Sequence, residues 1–315
     1  MTTVLYLVVP CYNEEEVLPE TASRLLSKLA ALIQSEKINN KSRILFVDDG
    51  SRDKTWRIIE DLSQQDAHFG GVKLSRNKGH QNALLAGLTV AKDHCDAAIS
   101  LDADLQDDIN AIDEMVAHFQ DGCDVVYGVR SKRDTDTIFK RTTAEGFYKL
   151  MQALGVDIVD NHADYRLLSR RALEGLMQFN EANLFLRGIV PLIGYKHAIV
   201  TYERHERFAG ESKYPLKKML LFAFDGITAF SIKPIRLVTT TGAMIFLASV
   251  ITLLVLLLQK LMGYTVQGWT TLMGSIWLLG GIQLLSLGII GEYVGRVYQE
   301  AKHRPHFIID QITLQ

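Results

Sequence analysis

Over its first 130 residues the chain alternates short apolar runs with longer amphipathic stretches. The runs 4–9, 43–47, 71–74, 97–101 and 124–127 read as buried strands. Between them, 14–35, 54–65, 81–91 and 110–119 carry apolar residues at helical spacing. Strands alternating with helices at this interval predict an α/β unit, a mostly parallel sheet with helices on both faces. In such a sheet, ligands bind beyond the carboxyl ends of the strands. Polar clusters fall there, at 10–14, 48–53, 75–81 and 102–107. Four loops are thereby expected to meet at one crevice.

The pattern changes near residue 236. No charged residue lies between Arg236 and Lys260, and none from Leu261 to Gly291. Stretches 238–258 and 269–290 are each long enough to cross a bilayer as a helix, which takes about 20 residues. Tyr264 and Trp269 stand where interfacial aromatics are found. The reading set against this is a buried hairpin of a soluble protein. Lys213, Lys217, Lys218, Lys233 and Arg236 precede the first stretch, Arg296, Lys302 and Arg304 follow the second, and only Lys260 lies between. The positive-inside tendency then puts both termini and the large N-terminal part on the cytoplasmic side. Residues 216–232 join a basic start to Met219, Phe222, Phe224 and Ile227. They fit an amphipathic helix at the headgroups or an ordinary packed helix. The resulting division is 1–212 cytoplasmic domain, 213–236 juxtamembrane segment, 237–291 two transmembrane helices, and 292–315 cytoplasmic basic tail.

Composition narrows the class. Of 315 residues 48% are hydrophobic and 22% charged, enough for a packed core, and the net charge of −2 gives no case for nucleic acid. Cys11, Cys95 and Cys123 stand far apart with no CxxC, which suits buried thiols in a reducing compartment. No leader is evident, since the first apolar run ends at Pro10. Neither GxGxxG nor GxxxxGK[ST] occurs.

The densest chemistry lies in Ser100-Leu101-Asp102-Ala103-Asp104-Leu105-Gln106-Asp107. If this segment stays extended after its strand, Asp102, Asp104 and Gln106 point the same way. Two carboxylates and an amide oxygen suit a hard divalent cation that holds phosphates; the plain alternative is a solvated acidic loop. The acids at 14–16 fit a helix N-terminus, and Asp48 and Asp53 fit caps. His80 fits a capping or surface histidine, or a contact to sugar or phosphate. His94, His118 and His162 have no ligand spacing, and His303 and His306 sit in the basic tail, expected near the membrane surface.

Several segments in order carry a resemblance. Val9-Pro10-Cys11-Tyr12-Asn13-Glu14-Glu15, then Val47-Asp48-Asp49-Gly50-Ser51, then the Asp-Ala-Asp-x-Gln segment are similar to family 2 glycosyltransferases of the GT-A fold. Ala163-Asp164-Tyr165-Arg166-Leu167, the run from Arg207 to Tyr214, the Asn77 to Ala83 loop and the two apolar stretches resemble the polyprenyl-phosphate glycosyltransferases. These include the bactoprenol glucosyltransferases and the dolichol-phosphate mannose synthases. The resemblance implies transfer of a hexose or N-acetylhexosamine, glucose favoured, from a UDP-sugar to undecaprenyl phosphate, with inversion. It implies a nucleotide-sugar site at Pro10, Tyr12, Glu14, Val47, Asp49, Asp102, Ala103 and Arg207. It further implies Mg²⁺ or Mn²⁺ on Asp102, Asp104 and Gln106, with Asp164 and Asp104 as catalytic carboxylates. Lipid phosphate would meet Arg130, Lys140, Arg141, Ser212 and Lys213. Asp164 has an alternative as an ion-pair partner of Arg166 or Arg170. Location in a bacterial cytoplasmic membrane follows, and self-association is left open. The competing classes are a catalytically dead nucleotide-sugar scaffold, a lipid carrier, and a processive polysaccharide synthase. The last lacks its Gln-x-x-Arg-Trp segment here.

Overall fold

A computed structural model describes residues 2–131, 162–179, 181, 185–203 and 268–314, with scattered positions between 238 and 262. Its centre is an eight-stranded sheet in the order β7-β5-β6-β4-β1-β2-β3-β8. Strand β1 is Leu5–Cys11, β2 Arg43–Asp48, β3 Phe69–Leu74 and β4 Ala97–Ser100. These four pair in parallel, β1 with β2 and β4, and β2 with β3. Every residue of β1 is buried, as expected for a parallel strand covered on both faces.

The covering helices are α1 (Leu18–Gln34), α2 (Thr55–Gln65), α3 (His80–Lys92) and α4 (Ala111–Gln120). One face of β1, formed by Leu5, Leu7 and Val9, shares a core with Leu18, Leu25 and Leu29 of α1, Ile59 of α2 and Ile112 of α4. The other face carries α3. A Cβ on Gly87 of α3 would stand 2.5 Å from Val8 Cγ1 and from Val47 Cγ2, so that helix lies close on the sheet. The expected α/β unit with helices on both faces is therefore present. Cys11, Cys95 and Cys123 are buried and unbridged.

The sheet extends beyond the five strands expected. Strand β5 (Val125–Arg130) does not follow β4 directly. Between them lies β6 (His162–Ser169), antiparallel to both. Helices α5 (Arg170–Leu176) and α6 (Leu186–Leu192) follow, then β7 (His197–Tyr202), parallel to β5 at the sheet edge. At the opposite edge β8 (Ile309–Thr313) runs antiparallel to β3. This corrects the reading of 292–315 as a separate basic tail, because the chain end returns to the sheet.

The chain divides into two compact units, one of 1–149, 157–215 and 305–315, the other of 150–156 and 216–304. In the second unit, α7 spans Trp269–Ala301. Among the described residues no helix is long and apolar enough to cross a membrane. Most of the first expected span, 238–258, and the whole juxtamembrane segment 213–236 lie outside the described residues.

Candidate active site

The carboxyl ends of β1 and β2 are joined by a ladder of polar contacts. Asn13 donates its N–H to Ser51 Oγ at 3.0 Å, and its side-chain oxygen accepts from Arg52 N at 2.9 Å. Glu14 N donates to Thr55 Oγ1 at 2.9 Å, and Glu15 takes the Lys54 N–H at 3.0 Å. Asp53 accepts from Thr55 N at 3.0 Å, a local turn contact made one residue ahead of the N-cap, which is Lys54 and carries no side-chain cap. The buried carboxylate of Asp49 accepts from Lys78 N at 2.7 Å and Gly79 N at 2.9 Å, tying the β3 loop to the β2 loop. Gly50, at φ 67°, permits this approach, since a Cβ there would sit 2.6 Å from the Arg76 and Asn77 backbone. Asp48 is fully buried, and one of its oxygens, Oδ2, has no partner among the described residues. Burial pushes its carboxyl upward. Tyr12 is exposed at this rim, whereas Pro10 and Val47 are adjacent partners within β1 and β2. The Val47 side chain packs on α3, so only its backbone is left to face a ligand.

The acidic segment does not stay extended. β4 ends at Ser100 and the chain turns, with Leu105 at φ 55°. Ala103 is buried and its carbonyl accepts from Thr21 Oγ1 at 2.7 Å. Asp104 Oδ1 accepts the N–H of Gln106 at 3.2 Å. Asp102, Asp104 and Gln106 are thus arranged by a turn, and the alternation expected of a strand does not operate. Among the described residues no three His, Cys, Asp or Glu side chains gather as a ready-made metal site. The donor chemistry still fits Mg²⁺ or Mn²⁺, which need only one or two protein carboxylates when substrate phosphates supply further oxygens. Asp102 shows why. Its carboxyl is pushed up to about 6, first by loss of water, with His80 opposing and the charges of Asp107, Asp164 and Asp104 adding. A divalent cation relieves such crowding.

Beside it β6 delivers Asp164. Arg166, fully buried, donates to Asp164 Oδ1 at 2.5 Å. Arg187 of α6 donates from Nε to Oδ1 at 3.3 Å and from Nη2 to Oδ2 at 3.0 Å. His80 Nε2 lies 3.5 Å from Asp102 Oδ1 and 3.7 Å from Asp164 Oδ2. Burial would raise the Asp164 carboxyl, but Arg187 and Arg166 outweigh it and hold it well below the usual carboxylate range. The expected ion pair with Arg166 is present. Arg170 is turned elsewhere, to the Asp93 carbonyl.

Arg130 closes β5 next to the same loop. It donates to Asp107 Oδ1 at 3.3 Å and to Tyr202 Oη at 3.3 Å, while Tyr202 donates to Asp107 at 2.6 Å. Tyr165 packs edge-on against Tyr202, ring centroids 5.2 Å apart, and donates to Asp108 O at 3.0 Å. Arg207, Lys140, Arg141, Ser212 and Lys213 lie outside the described residues. Sequence reasoning missed Asp107, Arg187 and Tyr202, and left His80 between a capping or surface group and a contact to sugar or phosphate. Arg187 had a signal, being the one charge in an otherwise apolar helix, Leu186–Leu192.

Residues 6–177 match Glycosyl transferase family 2, and residues 233–297 match the GtrB C-terminal hairpin. The uncharacterized glycosyltransferase YkoT of Bacillus subtilis is 54% identical over 307 residues, covering 98% of this chain and 91% of that protein. The bactoprenol glucosyl transferase of Shigella phage SfV is 40% identical, covering 96% of this chain and 97% of its own length. A prophage bactoprenol glucosyl transferase homolog of Escherichia coli K12 is 39% identical over 97% of this chain and 98% of its own. With that family matched across most of the sheet, and full-length relatives at this identity, the chain belongs to glycosyl transferase family 2.

Proposed function

We propose that this glycosyltransferase moves a hexose, glucose by preference, from a UDP-sugar to a polyprenyl phosphate. The observation that carries the reading is end-to-end similarity, near 40%, to proteins named bactoprenol glucosyl transferases. The C-terminal hairpin, with its long uncharged stretches, is the proposed bilayer anchor, and the catalytic domain would face the cytoplasm.

In this reading the donor lies over the ends of β1 and β2, and its diphosphate reaches the Asp102 turn. Asp102, with Asp104 and Gln106, would hold a divalent cation, which would supply neutralisation of the charge on the departing nucleoside diphosphate. The phosphate oxygen of the lipid attacks the anomeric carbon as the bond to the diphosphate breaks. One displacement inverts that centre. A phosphate monoester is already an anion near neutral pH, its second pKa being about 6. The acceptor therefore needs placement more than deprotonation. Asp164 suits this. Pinned as an anion by Arg166 and Arg187, it is a poor proton acceptor and a good anchor. It holds Arg187 and His80 at the rim of the acidic turn. Arg130, fastened by Asp107 and Tyr202, adds fixed positive charge beside the loop.

The test is direct. Membranes containing the protein, given polyprenyl phosphate, UDP-glucose and Mg²⁺, are expected to yield a lipid-phosphate hexose by mass spectrometry. Chelation with EDTA, or Asp102→Asn, is expected to cut the yield about 100-fold or more. No product with any UDP-hexose, or undiminished product in EDTA, overturns the reading.

A further inference from the structure

Helix α6 begins without a cap of its own. Phe185, in the capping position, has no side-chain hydrogen bond to offer the first turn. The orphan N–H of Leu186 is instead taken by Gln81 Oε1, on α3, at 3.0 Å. The carbonyl of the same residue accepts from buried Arg166 Nη1 at 3.2 Å. The backbone of Leu186 is thus held on both sides, at its N–H and at its C=O, by side chains distant in sequence. The next residue is Arg187, whose guanidinium reaches both oxygens of Asp164. The residue before Gln81 is His80, which faces Asp102 and Asp164.

We propose that Gln81 is a positioning residue for the transfer reaction: by capping α6 in trans it fixes Arg187 on Asp164 and keeps α3, with His80, in register with them. The inference rests on the activity proposed above and deepens it. Gln81 itself touches none of the three site side chains by this route, and acts through the backbone N–H of Leu186. The logic is one of leverage. α6 has only seven residues, and so short a helix has little stability of its own. A shift of about 1 Å in a group that orients reactants is enough to cost roughly 100-fold in rate. A glutamine oxygen on a long helix is a firm post for it.

The experiment compares Gln81→Met, which keeps the length but loses the acceptor, with Gln81→Glu, which keeps an acceptor oxygen. Full-length protein in membrane vesicles is assayed with polyprenyl phosphate and UDP-glucose. Q81M is expected to lower kcat about 10-fold or more while the donor KM moves less than about threefold, and Q81E to recover most of the loss. If Gln81 acts through Arg187, the double variant Q81M/R187M is no slower than R187M alone. Amide hydrogen exchange in 186–192 is expected to quicken in Q81M with the melting temperature little changed. Wild-type kcat in Q81M, or losses in the double variant that multiply, overturn the proposal. Should the wild type make no product, the functional reading falls on its own, and exchange in 186–192 still decides whether Gln81 holds α6: unchanged exchange in Q81M refutes it.

Discussion

Asp164 is held by charges that its surroundings would otherwise punish. A carboxylate this buried is expected to rise in pKa, yet two guanidiniums keep it low. Its stabilising effect is therefore full above the unfolded carboxyl value near 4 and is lost as pH falls toward the lower folded value. Arg187→Met removes two of its hydrogen bonds and leaves Arg166 as the remaining guanidinium partner. The variant is expected to melt lower at pH 7.5, by roughly 1–3 kcal/mol for charged hydrogen bonds. That deficit shrinks as the pH is brought below about 4, where the carboxyl begins to protonate without its second partner. Thermal melts across pH decide it, and a deficit independent of pH refutes the pairing. Only half of this pairing could be read from Ala163-Asp164-Tyr165-Arg166 alone. The Arg166 partner was open to sequence reasoning because alternate residues of a strand share a face. Arg187 comes from another element, and nothing local signals that distance.

At the scale of elements, the parallel centre, its four helices and β5 were legible, and β6, β7, β8 and the turn after β4 were not. β1, β2 and β4 are covered on both faces, so they read as unbroken apolar runs. From Asp164 to Ser169 β6 is equally buried, but it carries Asp164 and Arg166, because the site is built into it, and its polarity hid it. β8, Ile309–Thr313, is a half-exposed five-residue strand with two polar side chains at its centre. The acidic turn was misjudged because strand alternation was carried past Ser100, where β4 ends. Helix α3 gives the element-scale prediction. Gly87→Ala improves helix propensity by about 1 kcal/mol. Against that, its Cβ would meet two β-branched side chains, Val8 and Val47, at 2.5 Å, where both are fully buried in strands. Overpacking of this sort costs about 1–3 kcal/mol. The clash is expected to win, lowering the melting temperature of G87A, with partial recovery in G87A/V47A. A variant that melts above wild type would show that α3 has room to lift.

In the whole molecule the order of the chain matters. It leaves the catalytic unit at residue 215, passes through 216–304 and returns at 305. The segment 216–304 is thus an insertion in the chain of the first unit, which resumes before β8. β8 is fitted to its place. It pairs with β3 at Gly71, Val72, Lys73 and Leu74, and Ser75 N donates to Ile308 O at 2.9 Å. The glycines at 70 and 71 make the slot, since a Cβ on Gly70 would meet Leu314 at 2.8 Å and one on Gly71 would meet Thr313 Oγ1 at 2.8 Å. Four cross-strand positions at about 0.2–1 kcal/mol each place the strand's worth at about 1–4 kcal/mol. Ending the chain after Arg304 is therefore expected to lower the melting temperature and to bare β3 as an edge that aggregates. Gly70→Val, which fills the slot without shortening the chain, is expected to do the same to a lesser degree. Proteolysis separates a docked end from a dangling one. In the intact protein 309–314 should resist carboxypeptidase, and in G70V it should be trimmed readily. Equal trimming in both, with equal melting temperatures, would mean the returning strand contributes nothing to the unit it completes.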